Sequence, residues 1–263
     1  MARRRLEGIR EIESALARRV PIGVVLCREG MPSAEARALL DRLREEGVAI
    51  LEESDREMCR MSGGRTPPEL VALEGAPPPS DLAGAMGLDG PLILLVGLRY
   101  PGNVGFIIRS AEVAGVAGVL LAGDWARGQR ERALRVGMRA DRFLPVLDVD
   151  AAAAFAGARE AGRRIIALET GGQTRPWETD LRGPLLLVVG GETSGIPADL
   201  LAEVDVRVTI PARGFIPSYN VQAAVGIALG EWLRQTDADR RSVEEPADGR
   251  GALLSPPTPD RRS

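Results

Sequence analysis

Residues 92–109 read LILLVGLRYPGNVGFIIR. The first seven form a continuous apolar run, which is typical of a strand covered on both faces of a sheet. A Pro-Gly pair then turns the chain, and a second apolar run follows that carries two polar residues, Asn103 and Arg109. This pattern predicts a buried strand over 92–98, a turn, and a helix over 103–113.

Two residues of this stretch need a partner. Asparagine is a strong N-cap, so one interpretation is that Asn103 only caps the helix. Arg109 lies within an otherwise apolar helix, where a guanidinium needs an anion or a route to solvent. The functional interpretation is that Arg109 points into a cleft and binds an anion such as phosphate.

Two more motifs follow later strands. The run LLLVV at 185–189 leads into GGETSGIP at 190–197, and glycines between a strand and a helix let the backbone approach a ligand. After a third strand, Ile210 begins a loop that leads to Ser218 and Asn220. These two residues either cap the following helix or accompany free amides that hold an adenosine or a phosphate. The chain has no Gly-x-Gly-x-x-Gly or Walker motif, which argues against the usual nucleotide-binding folds.

Strands and helices alternate through the rest of this region. Apolar runs predict three further strands and two further helices, at 118–121, 164–168 and 206–210, and at 151–161 and 220–234. Such an order favours a doubly wound parallel α/β sheet.

The N-terminal residues predict a second, smaller α/β unit. Two helices, with Ser33 as the N-cap of the second, and two strands are predicted, at 7–18 and 33–46, and at 21–27 and 47–51. Alternation of this kind favours a parallel or mixed sheet.

Pro/Gly-rich segments indicate where the domains end. We expect a small α/β domain, a linker, a large α/β domain and a disordered tail, at 1–75, 76–88, 89–236 and 237–263. The tail is expected because the composition there turns to Asp, Arg, Pro, Gly and Ser.

Two residue types are missing from the chain. It contains no histidine, and all 34 of its Lys and Arg residues are arginines. Catalytic histidines, histidine metal sites, Schiff-base lysines and the P-loop lysine are therefore excluded, and no metal site is expected. Cys27 and Cys59 have no metal-like or redox-like spacing, which favours reduced thiols in a cytoplasmic protein.

Together, in this order and spacing, the three motifs resemble those of the SpoU-TrmH family of RNA ribose methyltransferases, within the knotted SPOUT superfamily. The resemblance covers residues 5–235. It implies a parallel α/β sheet whose C-terminal part forms a deep trefoil knot, S-adenosylmethionine bound in that knot, and a homodimer with each site near the partner subunit. Residues 6–10, LEGIR, resemble the start of the small RNA-binding domain of ribosomal-RNA members.

The resemblance also implies roles for individual residues. Those implied for catalysis are Asn103, Arg109, Glu192, Ser218 and Asn220. Those implied to hold the cofactor are Leu168, Glu169, Thr170, Gly190, Gly191, Glu192, Gly195, Ile210, Tyr219 and Asn220. The family proposal makes the arginine a general base, but a guanidinium keeps its proton at physiological pH. We therefore expect Arg109 to be essential chiefly because it pairs with the target phosphate.

Four residues depart from the family pattern. Tyr100 stands where the family usually has Asp, Gly191 where Asn is common, Tyr219 where Leu is usual and Gln222 where Ser is usual. None removes a residue assigned to chemistry, but together they leave the RNA specificity open.

An excess of arginine between 127 and 142 interrupts an otherwise acidic chain of net charge −3. If the chain is helical from 129 to 139, Arg132, Arg135 and Arg139 lie on one face. Such a face is either solvated or a phosphate-binding surface, and we expect these three residues to bind RNA.

The resulting expectation is an S-adenosylmethionine-dependent RNA 2′-O-ribose methyltransferase that acts on ribosomal RNA. The alternatives are a transfer-RNA ribose methyltransferase, a transfer-RNA base methyltransferase and a non-catalytic knotted RNA-binding relative. No apolar run reaches the ~18 residues of a membrane span, and no apolar run follows the basic residues 1–5, so neither a membrane nor a signal peptide is expected.

Overall fold

The computed structural model describes residues 4–30 and 32–244, apart from the side chains of residue 127 and residues 238–244. The strands are β1 (Arg5–Glu7), β2 (Ile22–Arg28), β3 (Ala49–Glu53), β4 (Leu70–Glu74), β5 (Leu92–Val96), β6 (Gly118–Ala122), β7 (Val146–Asp148), β8 (Arg164–Leu168), β9 (Leu185–Gly190) and β10 (Val206–Val208). The α-helices are α1 (Ile9–Ala17), α2 (Ala34–Glu45), α3 (Asp55–Ser62), α4 (Leu82–Met86), α5 (Pro101–Ala114), α6 (Arg127–Val136), α7 (Ala151–Glu160), α8 (Ala198–Ala202) and α9 (Val221–Glu244). Two short 3₁₀ helices span Ala140–Arg142 and Pro176–Glu178.

The larger sheet is parallel throughout, with the strand order β10-β8-β9-β5-β6-β7. The chain runs from the centre at β5 out to β7 and then crosses to the other half of the sheet. The order therefore reverses between β5 and β9, and ligands in open α/β sheets bind at such a point, beyond the carboxyl ends of the strands. The predicted parallel α/β sheet is confirmed, although the short edge strand β7 was missed.

Helices cover both faces of this sheet. Alternate β5 residues face opposite layers: Ile93 and Leu95 pack with α5, α6 and α9, whereas Leu92 and Leu94 pack with α4, α7 and α8. Because both faces are covered, the strand reads as an unbroken apolar run.

Helix α5 begins earlier than predicted. Tyr100 is its N-cap and Pro101 its first residue, where a fixed φ and a missing N–H are tolerated. The interpretation of Asn103 as the cap is therefore wrong, and its side chain is free for another contact. The helix ends at Ala114, and its C-cap Gly115 has a φ of +76°, the left-handed conformation favoured at helix C-termini.

The smaller sheet is mixed, one of the two arrangements that the sequence favoured, with the order β1-β4-β2-β3. Strand β4 is antiparallel to both β1 and β2, whereas β3 is parallel to β2. Ser33 caps α2 by accepting a hydrogen bond from the Ala36 N–H, which confirms that prediction. The sequence pattern missed β1, β4 and α3. Both cysteines are free thiols.

The two sheets meet through the segment after α6. Phe143 packs against Leu26, Met58 and Val71 beside the smaller sheet, and Arg142 forms an ion pair with Glu53. The segment between β4 and β5, which connects the two sheets along the chain, is held to the larger sheet. The buried Arg163 donates hydrogen bonds to its carbonyl oxygens at residues 86, 88 and 90. Burial lowers the pKa of Arg163.

Two predicted boundaries are wrong. Helix α6 ends at Val136, and Met138 and Arg139 have φ values of +58° and +55°, so the predicted helix over 129–139 is broken. Helix α9 continues to Glu244, past residue 237, where we expected disorder to begin. Residues 245–263 of the expected tail lie outside the described residues.

Two general properties follow from the described residues. They contain no helix that is both long and apolar enough to cross a membrane. They also contain no group of three or more His, Cys, Asp or Glu side chains arranged to hold a metal ion.

Candidate active site

A cleft of about 740 Å³ lies beyond the carboxyl ends of β8 and β9 and beside the start of α9. All ten residues expected to hold the cofactor line it, and so does Ser218. It is also lined by residues that the sequence reading did not single out, among them Thr193, Ser194, Thr209, Val221 and Ala224. Only their position in the sequence could have identified them, since each lies within or next to one of the three motifs.

The loop after β9 folds back so closely that its glycines have no room for side chains. A Cβ on Gly190 would lie 2.2 Å from the carbonyl carbon of Gly195. The Gly195 N–H donates to the Gly191 oxygen at 2.9 Å, and Gly195 has a φ of +63°. The loop therefore presents backbone N–H and C=O groups to the cleft rather than side chains.

Glu169 connects the end of β8 to this loop. One carboxylate oxygen accepts hydrogen bonds from the N–H and hydroxyl of Thr170, at 2.9 and 3.1 Å. The other accepts from the Ile196 N–H at 3.2 Å. The carboxylate thus holds two walls of the cleft together.

Asn103 joins all three motifs. Its side chain is only 7% exposed, and its Nδ2 donates to the Glu192 carboxylate at 2.6 Å. Its Oδ1 accepts from Nδ2 of Asn220 at 3.2 Å. These residues are 89 and 117 positions from Asn103, so the fold alone brings them together.

Asn220 has two roles at once. Its Oδ1 accepts from the Gln222 N–H at 2.9 Å and caps α9, while its amide nitrogen donates to Asn103. The capping interpretation is therefore confirmed for Asn220, which also lines the cleft. Ser218 lies on the exposed loop before it and does not cap the helix.

Arg109 is not brought to the cleft of its own chain. It is exposed on α5 and is not among the cleft residues. Six residues after Asn103, it lies about 9 Å further along the helix and about 120° around it. Within the described part of the chain it makes no hydrogen bond or ion pair.

The predicted arginine stripe is only partly formed. Arg132 and Arg135 are exposed on α6. Arg139 lies beyond the end of that helix, is half-buried, and is 3.3 Å from the Asp141 carboxylate. The three arginines therefore do not share a helix face, because the chain leaves the helix at Gly137.

The structure accounts for one departure from the family pattern. A Cβ on Gly191 would lie 2.6 Å from the Gly97 oxygen, because the end of β5 passes directly against the loop. An asparagine at this position would require the backbone to shift. Tyr100 is 61% exposed, and its ring lies over Gly102, where a Cβ would be 2.6 Å from a ring carbon.

The cleft has the properties that S-adenosylmethionine requires. Its volume is within the ~300–1,000 Å³ range of small-molecule sites. Leu168, Ile210 and Ala224 provide apolar surface for an adenine ring, whereas Glu169 and the backbone of the glycine loop provide polar groups. The residues present therefore fit the cofactor.

Known family models match most of the chain. Residues 90–230 match the SpoU rRNA methylase family, and residues 5–79 match the substrate-binding domain of RNA 2′-O-ribose methyltransferases. The first match includes all three motifs, and the second includes the smaller sheet.

Relatives and solved structures agree with these matches. The 23S rRNA (guanosine-2′-O-)-methyltransferase RlmB of Pseudomonas syringae is 26% identical over 90% of this chain and 98% of its own. RlmB of Xylella fastidiosa is 28% identical over 80% and 88%. The SpoU methyltransferase AviRb of Streptomyces viridochromogenes, solved with AdoMet, is 26% identical over 90% and 91%, with a TM-score of 0.55. The chain therefore belongs to the SpoU rRNA methylase family and is an RNA 2′-O-ribose methyltransferase that uses S-adenosylmethionine.

Proposed function

We propose that this protein methylates the 2′-hydroxyl of a ribose in ribosomal RNA. The observation that carries the proposal is the hydrogen-bonded chain Glu192–Asn103–Asn220, which connects the cofactor cleft to helix α5. Ribosomal RNA is favoured because the likeness to RlmB extends over both parts of the chain, including the residues that match a substrate-binding domain.

The cofactor supplies a methyl group activated by attachment to a sulfonium. The backbone at Gly190, Ile210 and Tyr219 holds it, and Leu168, Glu169, Thr170, Gly191 and Gly195 complete the cleft around it. Asn103 orients Glu192 by donating to its carboxylate, and Ser218 and Asn220 border the ribose. Much of the rate enhancement then comes from holding the hydroxyl and the methyl group at near-attack distance.

Arg109 binds the phosphate beside the target ribose. Its guanidinium forms charge-assisted hydrogen bonds to that phosphate and so positions the ribose beside the methyl group. Because it does not line the cleft of its own chain, we propose that it serves the cleft of a second subunit in a homodimer. The same face of α5 carries two exposed apolar side chains, Phe106 (45%) and Val113 (76%), which a partner subunit would cover.

We also propose that the C-terminal part of the chain forms the trefoil knot that the family resemblance implies, and the position of helix α9 supports this. After β10, at the edge of the sheet, the chain returns to the centre, where α9 packs on α5. Gln235 of α9 bonds to the Leu181 N–H at 2.8 Å and to the Thr179 oxygen at 3.0 Å. Helix α9 is therefore held against the segment between β8 and β9, as a chain threaded through that segment would be.

We also propose a division of labour along the chain. Residues 1–75 bind RNA, residues 76–88 link the two domains, and residues 89–236 transfer the methyl group. Arg132 and Arg135 add phosphate contacts from α6. A cytoplasmic location follows from the proposed ribosomal substrate.

The role of Arg109 has a direct test. We expect Arg109→Ala to lower the rate of methyl transfer by at least ~100-fold, the order of loss that misplacing a bound substrate by about 1 Å can cause. S-adenosylmethionine affinity should stay unchanged, because Arg109 does not line the cleft. Arg234→Ala is the matched control, since Arg234 is also a helix arginine but pairs with Glu231 on its own helix. Normal methylation by Arg109→Ala would refute the assignment.

The substrate has a separate test. Ribose methylation mapped across total RNA, in cells with and without the gene, should differ at one ribosomal nucleotide. A difference in transfer RNA alone would establish the transfer-RNA alternative instead. Failure of the purified protein to bind S-adenosylmethionine in a calorimetric titration would support a non-catalytic role.

A further inference from the structure

A second cleft, of about 570 Å³, lies at the carboxyl ends of β6 and β7. We call it the Trp125 cleft. It is lined by Gly123, Asp124, Trp125, Gln129, Arg130 and Asp148. Since all strands of the sheet are parallel, it opens at the same edge as the cofactor cleft.

The end of β5 separates the two clefts. On one side, Gly191 of the cofactor cleft lies against Gly97: a Cβ added to Gly191 would be 2.6 Å from the Gly97 oxygen. On the other side, a Cβ added to Gly123 would be 3.6 Å from the Gly97 Cα. The Gly97 N–H also donates to the Ala122 oxygen at 2.8 Å. An RNA strand at the cofactor cleft is therefore next to the Trp125 cleft.

The charges of this cleft do not suit a phosphate. Arg130 is already bonded to the Asp148 carboxylate at 2.7 Å and to the Val146 oxygen at 3.1 Å. Asp124 is exposed and has no ion pair or hydrogen bond within the described residues. The charges of Asp124, Arg130 and Asp148 sum to a negative value, so the site favours a neutral ligand that donates hydrogen bonds.

The remaining side chains suit a nucleobase. The Trp125 side chain is half-buried and packs in part against the core, and its exposed part is available for stacking. Stacking on aromatic side chains is a general mode of single-stranded RNA recognition. Gln129 is exposed on the first turn of α6 and offers both an acceptor and a donor.

We propose that the Trp125 cleft binds a nucleobase of the RNA strand being methylated, which stacks on Trp125 and donates its N–H groups to Asp124 and Gln129. The proposal rests on the RNA methylation proposed above and makes these residues specificity determinants. Guanine suits the site best, because its adjacent N1–H and N2–H groups match the two oxygens of a carboxylate.

The test compares kinetic constants for RNA in Trp125→Ala and Trp177→Ala. Trp177 is a suitable control because it is 48% exposed and lines neither cleft. We expect Trp125→Ala to raise the KM for RNA at least about tenfold, within the range for loss of one base stack. S-adenosylmethionine affinity should be unchanged, and Trp125→Phe should restore most of the RNA affinity.

Two further measurements exclude a merely structural effect. In a protein whose Trp177 and Trp232 are changed to Phe, added RNA should quench the fluorescence of Trp125. Asp124→Asn should change which base at the contacted position is preferred, in a set of RNA substrates that differ there. An unchanged KM in both Trp125 variants, or no quenching, would refute the cleft assignment while wild-type methylation remained. Absence of wild-type methylation would instead refute the proposed function.

Discussion

Removing the side chain of Asn103 tests the link between the three motifs. Asn103→Ala loses one hydrogen bond to a carboxylate and one to a neutral amide. A bond to a charged group contributes about 1.5–3 kcal/mol and a neutral one about 0.5–1.5 kcal/mol. We take the low end for the first bond, because Glu192 is exposed, and about 1 kcal/mol for the second. The expected loss is therefore about 2.5 kcal/mol.

This loss has a measurable thermal consequence. For a chain of this size, each kcal/mol shifts Tm by roughly 2–4 °C, so Asn103→Ala should melt about 5–10 °C lower. Asn220→Ala is the matched comparison and should cost less, because it loses the α9 cap and the neutral bond but leaves the Glu192 bond intact.

A double-mutant cycle then isolates the Asn103–Glu192 bond. If the two residues interact as the 2.6 Å distance indicates, the destabilisations of Asn103→Ala and Glu192→Ala should be non-additive by at least about 0.5 kcal/mol. The assay is chemical unfolding of the two single variants, the double variant and the wild type. Strict additivity would show that the bond contributes nothing and would refute the reasoning.

Two other outcomes follow from the geometry. Gly190→Ala places a methyl group 2.2 Å from the Gly195 carbonyl carbon, so its S-adenosylmethionine affinity, measured by calorimetry, should fall more than tenfold. Gly214→Ala is the control, because Gly214 has open space around it, and this variant should bind the cofactor normally. Equal affinities of the two variants would contradict the close packing at Gly190. Burial raises the pKa of Asp205, but bonds from the Ile165 N–H and Arg159 outweigh it and leave the pKa below 3.8. A lowered folded-state pKa stabilises the protein above the unfolded-state value and loses that contribution as pH falls through the folded one. Asp205→Asn should therefore destabilise the protein at pH 7 and much less near pH 2 in urea unfolding, and a pH-independent difference would argue against the ion pair.

Local signals in the sequence determined much of the fold. Continuous apolar runs located β5, β6, β8 and β9 to within two residues, because a strand buried on both faces has only apolar positions. The Ser33 cap was also readable, since capping depends on neighbouring residues. The motif residues led to the family in the same way.

Tertiary structure decided how those pieces meet. No local pattern shows that Asn103 bonds to Glu192 and Asn220, because hydrogen bonds across 89 and 117 residues depend on the strand order. Gly191 reads as one of many loop glycines, and only its contact with Gly97 explains why a side chain is not accommodated.

The arginines show most clearly the difference between what the sequence pattern predicts and what tertiary contacts decide. Periodicity placed Arg132, Arg135 and Arg139 on one helix face, but the left-handed residues after Val136 end the helix and turn Arg139 toward Asp141. Sequence likewise singled out Arg109, whereas its position outside the cleft of its own chain follows from how α5 packs on α6 and α9. Composition and periodicity report which residues are buried, but the partner of each polar group is set by contacts between segments far apart in the chain.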